Sequence, residues 1–126
     1  MLYMASPVAT AAINTNRTKV VGTGLTMRST IDRDTLGAAP EAAKAWQKQA
    51  EAEWRLWCKK QNCDALGLNS FAGLQQLVMK SWLMSGDVFV LIKRAKATPL
   101  NPYTMRLHVI EADRVSTPAE YGGGLT

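Results

Sequence analysis

The chain has 126 residues, of which 47% are apolar and 20% are charged. This size and composition are typical of a single globular domain that folds without a disulfide framework or a structural metal. Fifteen Lys and Arg residues against ten Asp and Glu give a net charge of +5, which favours anionic partners. The longest apolar run, Val88–Ile92, is far shorter than the roughly 20 residues that cross a bilayer, so we predict no membrane contact. Residues 1–16 are uncharged but lack a basic n-region and are interrupted by polar residues, so we predict no secretory signal and an intracellular protein in which Cys58 and Cys63 stay reduced.

The first predicted element is a helix from Pro7 to Val20. Ser6 is a good N-cap residue, and proline is well tolerated at the first helical position. The helix ends at the turn Gly22-Thr-Gly24, and the alternation of apolar and polar residues in Leu25–Ile31 predicts a half-buried strand. A polar turn is expected over residues 32–35.

The clearest helical pattern runs from Pro40 to about Lys60. At 100° per residue, four apolar residues fall on one face, and charged residues occupy the opposite face. The pattern therefore predicts a helix with one face in the core. The apolar face consists of Trp46, Ala50, Trp54 and Trp57.

After a loop over residues 61–67, a second strong helix is predicted from Ser70 to Ser85, closed by Gly86. One stripe of this helix contains Phe71, Leu74, Val78 and Trp82, but further apolar residues lie outside it, so the helix is expected to be covered on most sides. In a domain of this size, part of the cover is predicted to come from another subunit. The candidate subunit-interface residues are Leu77, Leu83 and Met84.

Two strands are predicted in the last third of the chain. Val88–Ile92 is a continuous apolar run, which predicts a strand buried on both faces. Met105–Ile110 alternates, with Leu107 and Val109 towards the core and Arg106 and His108 outward, and an antiparallel pair around the loop 95–104 is expected. The predicted fold class is therefore α+β, with two to three helices on a small, mainly antiparallel sheet, in one domain over residues 1–118. A flexible linker is expected over residues 119–126.

The residue types that carry catalysis are few. His108 is the only histidine, and its place on the outward face of a strand favours a solvated side chain. Cys58 and Cys63 have no second cysteine pair or nearby histidine to complete a zinc site, and Gly22-Thr-Gly24 follows a helix, where a phosphate-binding loop follows a strand. We therefore predict no enzyme activity, no metal and no cofactor.

The basic residues form two groups. No helix-turn-helix, zinc finger or aromatic-studded sheet accompanies them, so sequence-specific readout is not expected. The binding mode that these charges allow is a weak, salt-dependent attraction to the DNA backbone. One alternative function is therefore that of a small basic protein that binds nucleic acid nonspecifically. The candidate contacts are Arg17, Lys19 and Arg28, and then Lys93, Arg94 and Lys96.

Taken in order, several motifs resemble the N-terminal part of lambda-family phage portal proteins. The resemblance spans about residues 6–118 and rests on the ordered series more than on any single motif. Its most specific segments are Val20-Val-Gly-Thr-Gly-Leu25, Gly86-Asp-Val-Phe-Val-Leu91 and Glu111-Ala-Asp-Arg114, accompanied by Ser6-Pro7, Ala12-Ile13, Trp46, Glu53-Trp54, Trp57, Cys63-Asp64, Phe71, Leu74-Gln75, Ser81, Leu107 and Pro118.

The resemblance implies a structural virion protein with no active site. Such proteins form a ring, usually of twelve subunits, at one capsid vertex, through which the terminase large subunit drives double-stranded DNA. Capsid, scaffold and head-completion proteins are the other implied partners, and the host cytoplasm is the implied site of assembly. The matching region resembles the α+β wing, and because portals of this family are several times longer, the resemblance implies a fragment with no channel-lining residue.

Overall fold

The computed structural model describes residues 6–116. Three long helices, two single helical turns and a two-stranded antiparallel sheet confirm the α+β class. In chain order the elements are α1 (Pro7–Val21), α2 (Arg33–Leu36), α3 (Pro40–Trp57), α4 (Lys60–Cys63), α5 (Phe71–Ser85), β1 (Val88–Arg94), β2 (Met105–Glu111) and a 3₁₀ turn (Ala112–Arg114).

The helix ends follow the capping signals of the sequence. The Ser6 hydroxyl accepts a hydrogen bond from the Ala9 amide at the start of α1, and the Ser70 hydroxyl accepts one from the Gly73 amide at the start of α5. Gly86, with φ of +83°, closes α5 as predicted. Helix α3 ends at Trp57, three residues earlier than expected, because the backbone becomes extended at Lys59 before α4 begins.

The strand predicted over residues 25–31 is wrong. This segment is extended but has no neighbouring strand within residues 6–116, and side chains of two helices hold its backbone instead. The Leu25 amide donates to Gln75 Oε1 of α5, and the Ser29 amide donates to Glu51 Oε1 of α3, both at 3.0 Å. The polar turn expected after it is a single helical turn, α2, and the expected loop 61–67 begins with a second one, α4.

The turn Gly22-Thr-Gly24 places the start of this extended segment in contact with α5. Gly24 has a φ of +96°, and a Cβ atom built there would lie only 2.6 Å from Ala72 Cβ. The Gln76 side chain donates to the Gly22 carbonyl at 3.0 Å, so both glycines lie against the same helix. The glycine at position 24 is therefore required by a close approach of backbone to helix as well as by its backbone conformation.

The core lies where α3, α4, α5 and β2 meet. Trp57, Cys63 and Leu74 are buried there, and Trp54 and Phe71 pack against them with ring centroids 5.0–5.3 Å apart. Further partly buried residues of this core are Cys58, Tyr103, Leu107 and Val109. The expectation that Trp46 belongs to the core is wrong, since its side chain is 57% exposed, two turns before the point where α3 reaches α5.

The hairpin has the predicted antiparallel pairing, with Val90 opposite Val109 and Lys93 opposite Arg106. Leu107 and Val109 contact the core as expected. However, β1 is not buried on both faces: its residues from Phe89 to Ile92 are 43–63% exposed, because β2 is its only strand neighbour among residues 6–116. The expected solvation of His108 is also wrong, since its side chain is half-buried.

Candidate subunit and nucleic-acid interfaces

Strand β1 leaves a large part of its apolar surface without cover. Phe89 and Leu91 lie on one face of the hairpin, and Val90 and Ile92 lie on the other. All four are exposed, and the outer edge of β1 pairs with no strand in the part of the chain that the structure describes. An exposed apolar strand with a free edge is a ready site for another chain.

An apolar groove continues this surface between α5 and the sheet. It has a volume of about 330 Å³, and Gln75 is the only polar residue of its lining. It opens beside Trp82, whose ring is 54% exposed. The residues that define the groove are Val21, Phe71, Leu74, Val78, Met79, Trp82, Val88, Val90, Leu107 and Val109. We call the groove together with Phe89, Leu91 and Ile92 the apolar hairpin surface.

The three interface residues predicted from the sequence lie elsewhere on α5. Leu77 and Met84 line a small cleft of about 150 Å³ between α5 and the end of β2 with its following 3₁₀ turn, where Glu111 and Asp113 also lie. Leu83 is 37% exposed. None of the three lines the groove, so their role as a subunit interface stays a prediction, and sequence reasoning missed the β1 residues because it placed them in the core.

The predicted DNA contacts divide between two parts of the fold. Arg17 and Lys19 lie on α1, and Arg28 lies on the extended segment. Lys19 and Arg28 are exposed, whereas Arg17 is half-buried and its Nε has no hydrogen-bond partner among the described residues. The residues of the second group, Lys93, Arg94 and Lys96, are all exposed at the loop end of the hairpin.

The two cysteines are free thiols in and beside the core. Burial raises the pKa of the Cys63 thiol to about 11, with smaller contributions from Cys58 and Asp64, and burial also raises the pKa of Cys58. Both thiols are therefore protonated at neutral pH, unlike the thiolates of reactive cysteines. The Cys63 Sγ donates to the Cys58 carbonyl at 3.5 Å, and no hydrogen bond between His108 and either cysteine is present in residues 6–116.

The most completely bonded polar group is the carboxylate of Asp64, which follows α4. It is 2% exposed and accepts hydrogen bonds from the amides of Leu66, Leu68 and Asn69 at 3.0, 3.1 and 2.8 Å. Burial by itself raises the pKa of Asp64, but these amides and the Asn69 side chain outweigh it, so the pKa is lowered. Asp64 therefore organises the loop that leads into α5.

No metal-binding group of three or more His, Cys, Asp and Glu residues is found between residues 6 and 116. In the same part of the chain, no helix is both long and apolar enough to cross a bilayer. The features that remain as candidate functional surfaces are the apolar hairpin surface and the basic residues near it. An exposed apolar surface and a group of exposed cations are both suited to contact with other macromolecules.

Comparison with protein families assigns that contact role to a known class. Residues 1–124 match the family model described as phage portal protein, lambda family. Because the match covers nearly the whole chain, the chain belongs to the lambda family of phage portal proteins. These are structural proteins of the virion that act in DNA packaging. No curated protein matches the chain.

Proposed function

We propose that this chain forms the wing region of a portal ring at one capsid vertex, and that it meets the next subunit through the apolar hairpin surface. In this role the ring has twelve subunits, and the terminase large subunit drives double-stranded DNA through it. Scaffold, capsid and head-completion proteins contact its outside, and assembly takes place in the host cytoplasm before the ring becomes part of the virion. The chain itself performs no catalysis.

The observation that carries this proposal is the exposure of β1. A monomer gains nothing from an apolar strand that is open on both faces and along one edge, whereas a second copy removes this surface from water. A ring requires a heterologous contact, in which the surface of one subunit meets a different surface of the next. The groove beside Trp82 offers a concave apolar site continuous with β1.

The family membership disfavours the alternative of an independent small basic protein that binds nucleic acid, since portal proteins are structural components. The positive charge that motivated that alternative still needs an explanation.

Analytical ultracentrifugation over a concentration series tests the ring contact. We expect the wild-type chain to self-associate and the variant Leu91→Lys to weaken association at least tenfold, because a charge on β1 must be desolvated at the contact. Leu100→Lys is the matched control, since Leu100 is 94% exposed in the hairpin loop, away from the apolar hairpin surface. Circular dichroism of both variants checks that the fold is unchanged.

Three results would contradict the proposal. The first is a wild-type chain that stays monomeric at the highest concentration. The second is equal behaviour of the two variants. The third is association that stops at a two-fold symmetric dimer, because a head-to-tail contact produces open oligomers or closed rings.

A further inference from the structure

The charged residues of the hairpin, apart from Glu111 at the end of β2, are all basic. No Asp or Glu occurs between Val88 and Ile110, and this segment contains Lys93, Arg94, Lys96 and Arg106. The strand register places Lys93 directly opposite Arg106, so two like charges face each other at the loop end of the sheet. Such a pair is unfavourable within the isolated chain, and it favours a counter-charge from another molecule.

The fold brings two more lysines to the same end. Asn101 Nδ2 in the hairpin loop donates to the Gln61 carbonyl of α4 at 2.7 Å, and Trp57 Nε1 donates to the Met105 carbonyl at 3.0 Å. These contacts dock the loop end of the hairpin on the corner between α3 and α4, which contains Lys59 and Lys60. We call the combined set the basic end; it consists of Lys59, Lys60, Lys93, Arg94, Lys96 and Arg106.

Two carboxylates on the elements that meet at the basic end, those of Glu53 and Asp64, have other partners. Glu53 Oε2 accepts a hydrogen bond from the Tyr103 hydroxyl at 2.7 Å, and the Asp64 carboxylate is buried and bonded to backbone amides. The Lys44–Glu41 ion pair lies away from the basic end, on the exposed face of α3. The six cations of the basic end thus have no ion-pair partner in the described part of the chain.

We propose that the basic end binds the phosphate backbone of double-stranded DNA without sequence preference. Four of its six residues are lysines, which are depleted in protein–protein interfaces but are ordinary contacts for phosphate groups. Basic side chains that bind phosphates replace condensed counterions, so this binding depends strongly on salt. The proposal rests on the proposed virion function only in choosing DNA over other polyanions.

Fluorescence anisotropy with a labelled DNA duplex, at roughly 50 and 200 mM salt, tests this proposal. The test variant is Lys93→Glu/Lys96→Glu, and the control is Lys44→Glu/Lys48→Glu on the exposed face of α3, which changes the net charge equally. We expect the test variant to bind DNA at least tenfold more weakly at the lower salt and the salt slope to fall by about 2. The control variant should stay within about threefold of the wild type.

Several outcomes would overturn the inference. Equal losses in both variants show that DNA responds only to the net charge. An unchanged salt slope shows that Lys93 and Lys96 do not contact phosphates. Tighter binding of poly-glutamate than of the duplex shows that an acidic protein is the partner.

The two proposals fail separately. Self-association without DNA binding overturns the basic end and leaves the ring contact. DNA binding through the basic end by a chain that stays monomeric overturns the ring contact and leaves the proposal for the basic end. Ultracentrifugation and anisotropy on the same protein preparations therefore distinguish the two failures.

Discussion

Two neighbouring regions of the molecule differ in which side chains they bury: one buries polar groups, and the other exposes apolar residues. The end of α4 and the loop that follows it contain the thiol of Cys63 and the carboxylate of Asp64, which are almost fully inaccessible and have hydrogen-bond partners from their own chain. Strand β1 contains apolar residues that remain in water. The loop contacts the strand that pairs with β1, since the Ala65 amide donates to the Leu107 carbonyl of β2 at 2.8 Å.

This difference separates what the chain does for itself from what it leaves to other molecules. The Asp64 loop fixes the direction of α5 and supports one edge of β2, so it sets the position of the hairpin. The hairpin then presents its apolar surface and its basic end outward. The Asp64 loop is stabilised by bonds within its own chain, whereas the hairpin it positions exposes apolar residues. This arrangement is expected of a subunit whose exposed surfaces are buried by neighbouring subunits.

The largest effect is expected where the N-terminal segment packs against α5. Gly24→Ala should lower the free energy of unfolding by about 2–4 kcal/mol, because the new Cβ overlaps Ala72 and the backbone φ is positive. Gly67→Ala is the matched control, since Gly67 has a φ of +68° but no atom within 4 Å of a Cβ, so it should cost only about 1 kcal/mol. Urea unfolding followed by circular dichroism measures both, and equal costs would mean that the contact with Ala72 is unimportant.

A smaller effect is expected from replacing the buried carboxylate of Asp64. Asp64→Asn should lower the free energy of unfolding by about 2 kcal/mol at pH 7, because an amide nitrogen faces backbone amides that the carboxylate accepted. Asp87→Asn, at an exposed position before β1, should change it by less than about 0.5 kcal/mol. Equal changes in the unfolding free energy of the two variants would show that the Asp64 carboxylate does not organise the loop.

The same variant has a defined pH dependence. The pKa of Asp64 is lowered by folding, so its contribution to stability is present above the unfolded pKa of about 3.9 and is lost as pH falls through the folded pKa. The difference in unfolding free energy between wild type and Asp64→Asn should therefore shrink between about pH 5 and pH 2. A difference that stays constant over this range contradicts the lowered pKa.

The elements with local signals were predictable from the sequence, and those that depend on distant partners were not. Ser6, Ser70 and Gly86 cap their own helices, so the bounds of α1 and α5 followed closely. The alternation in residues 25–31 satisfied a strand pattern, but no strand lies beside it in the described part of the chain, and the side chains of Gln75 and Glu51 accept hydrogen bonds from its Leu25 and Ser29 amides.

The candidate surfaces show the same limit. The apolar run of β1 indicated that the strand avoids water but did not indicate what covers it, so its exposure was missed. Lys93, Arg94 and Lys96 were found because they are adjacent in sequence, whereas Arg106 joined them only through the register and Lys59 only through the docking of the loop. Asp64, followed within five residues by Gly67 and Asn69, had the composition of a side-chain-capped turn, which was the one signal available for it.

The smallest expected effect has the opposite sign and links the basic end to stability. Lys93→Glu should raise the free energy of unfolding by about 0.2–1 kcal/mol, because it replaces a like-charge pair with Arg106 by an ion pair across the hairpin. Added salt should reduce this gain, since it screens both the repulsion in the wild type and the attraction in the variant. Lys48→Glu on α3 is the control, and urea unfolding at low and high salt is the measurement. A variant that is more stable and binds DNA less tightly shows that these cations are retained for a contact outside the chain, whereas a destabilised variant means that the register does not bring the two charges together in solution.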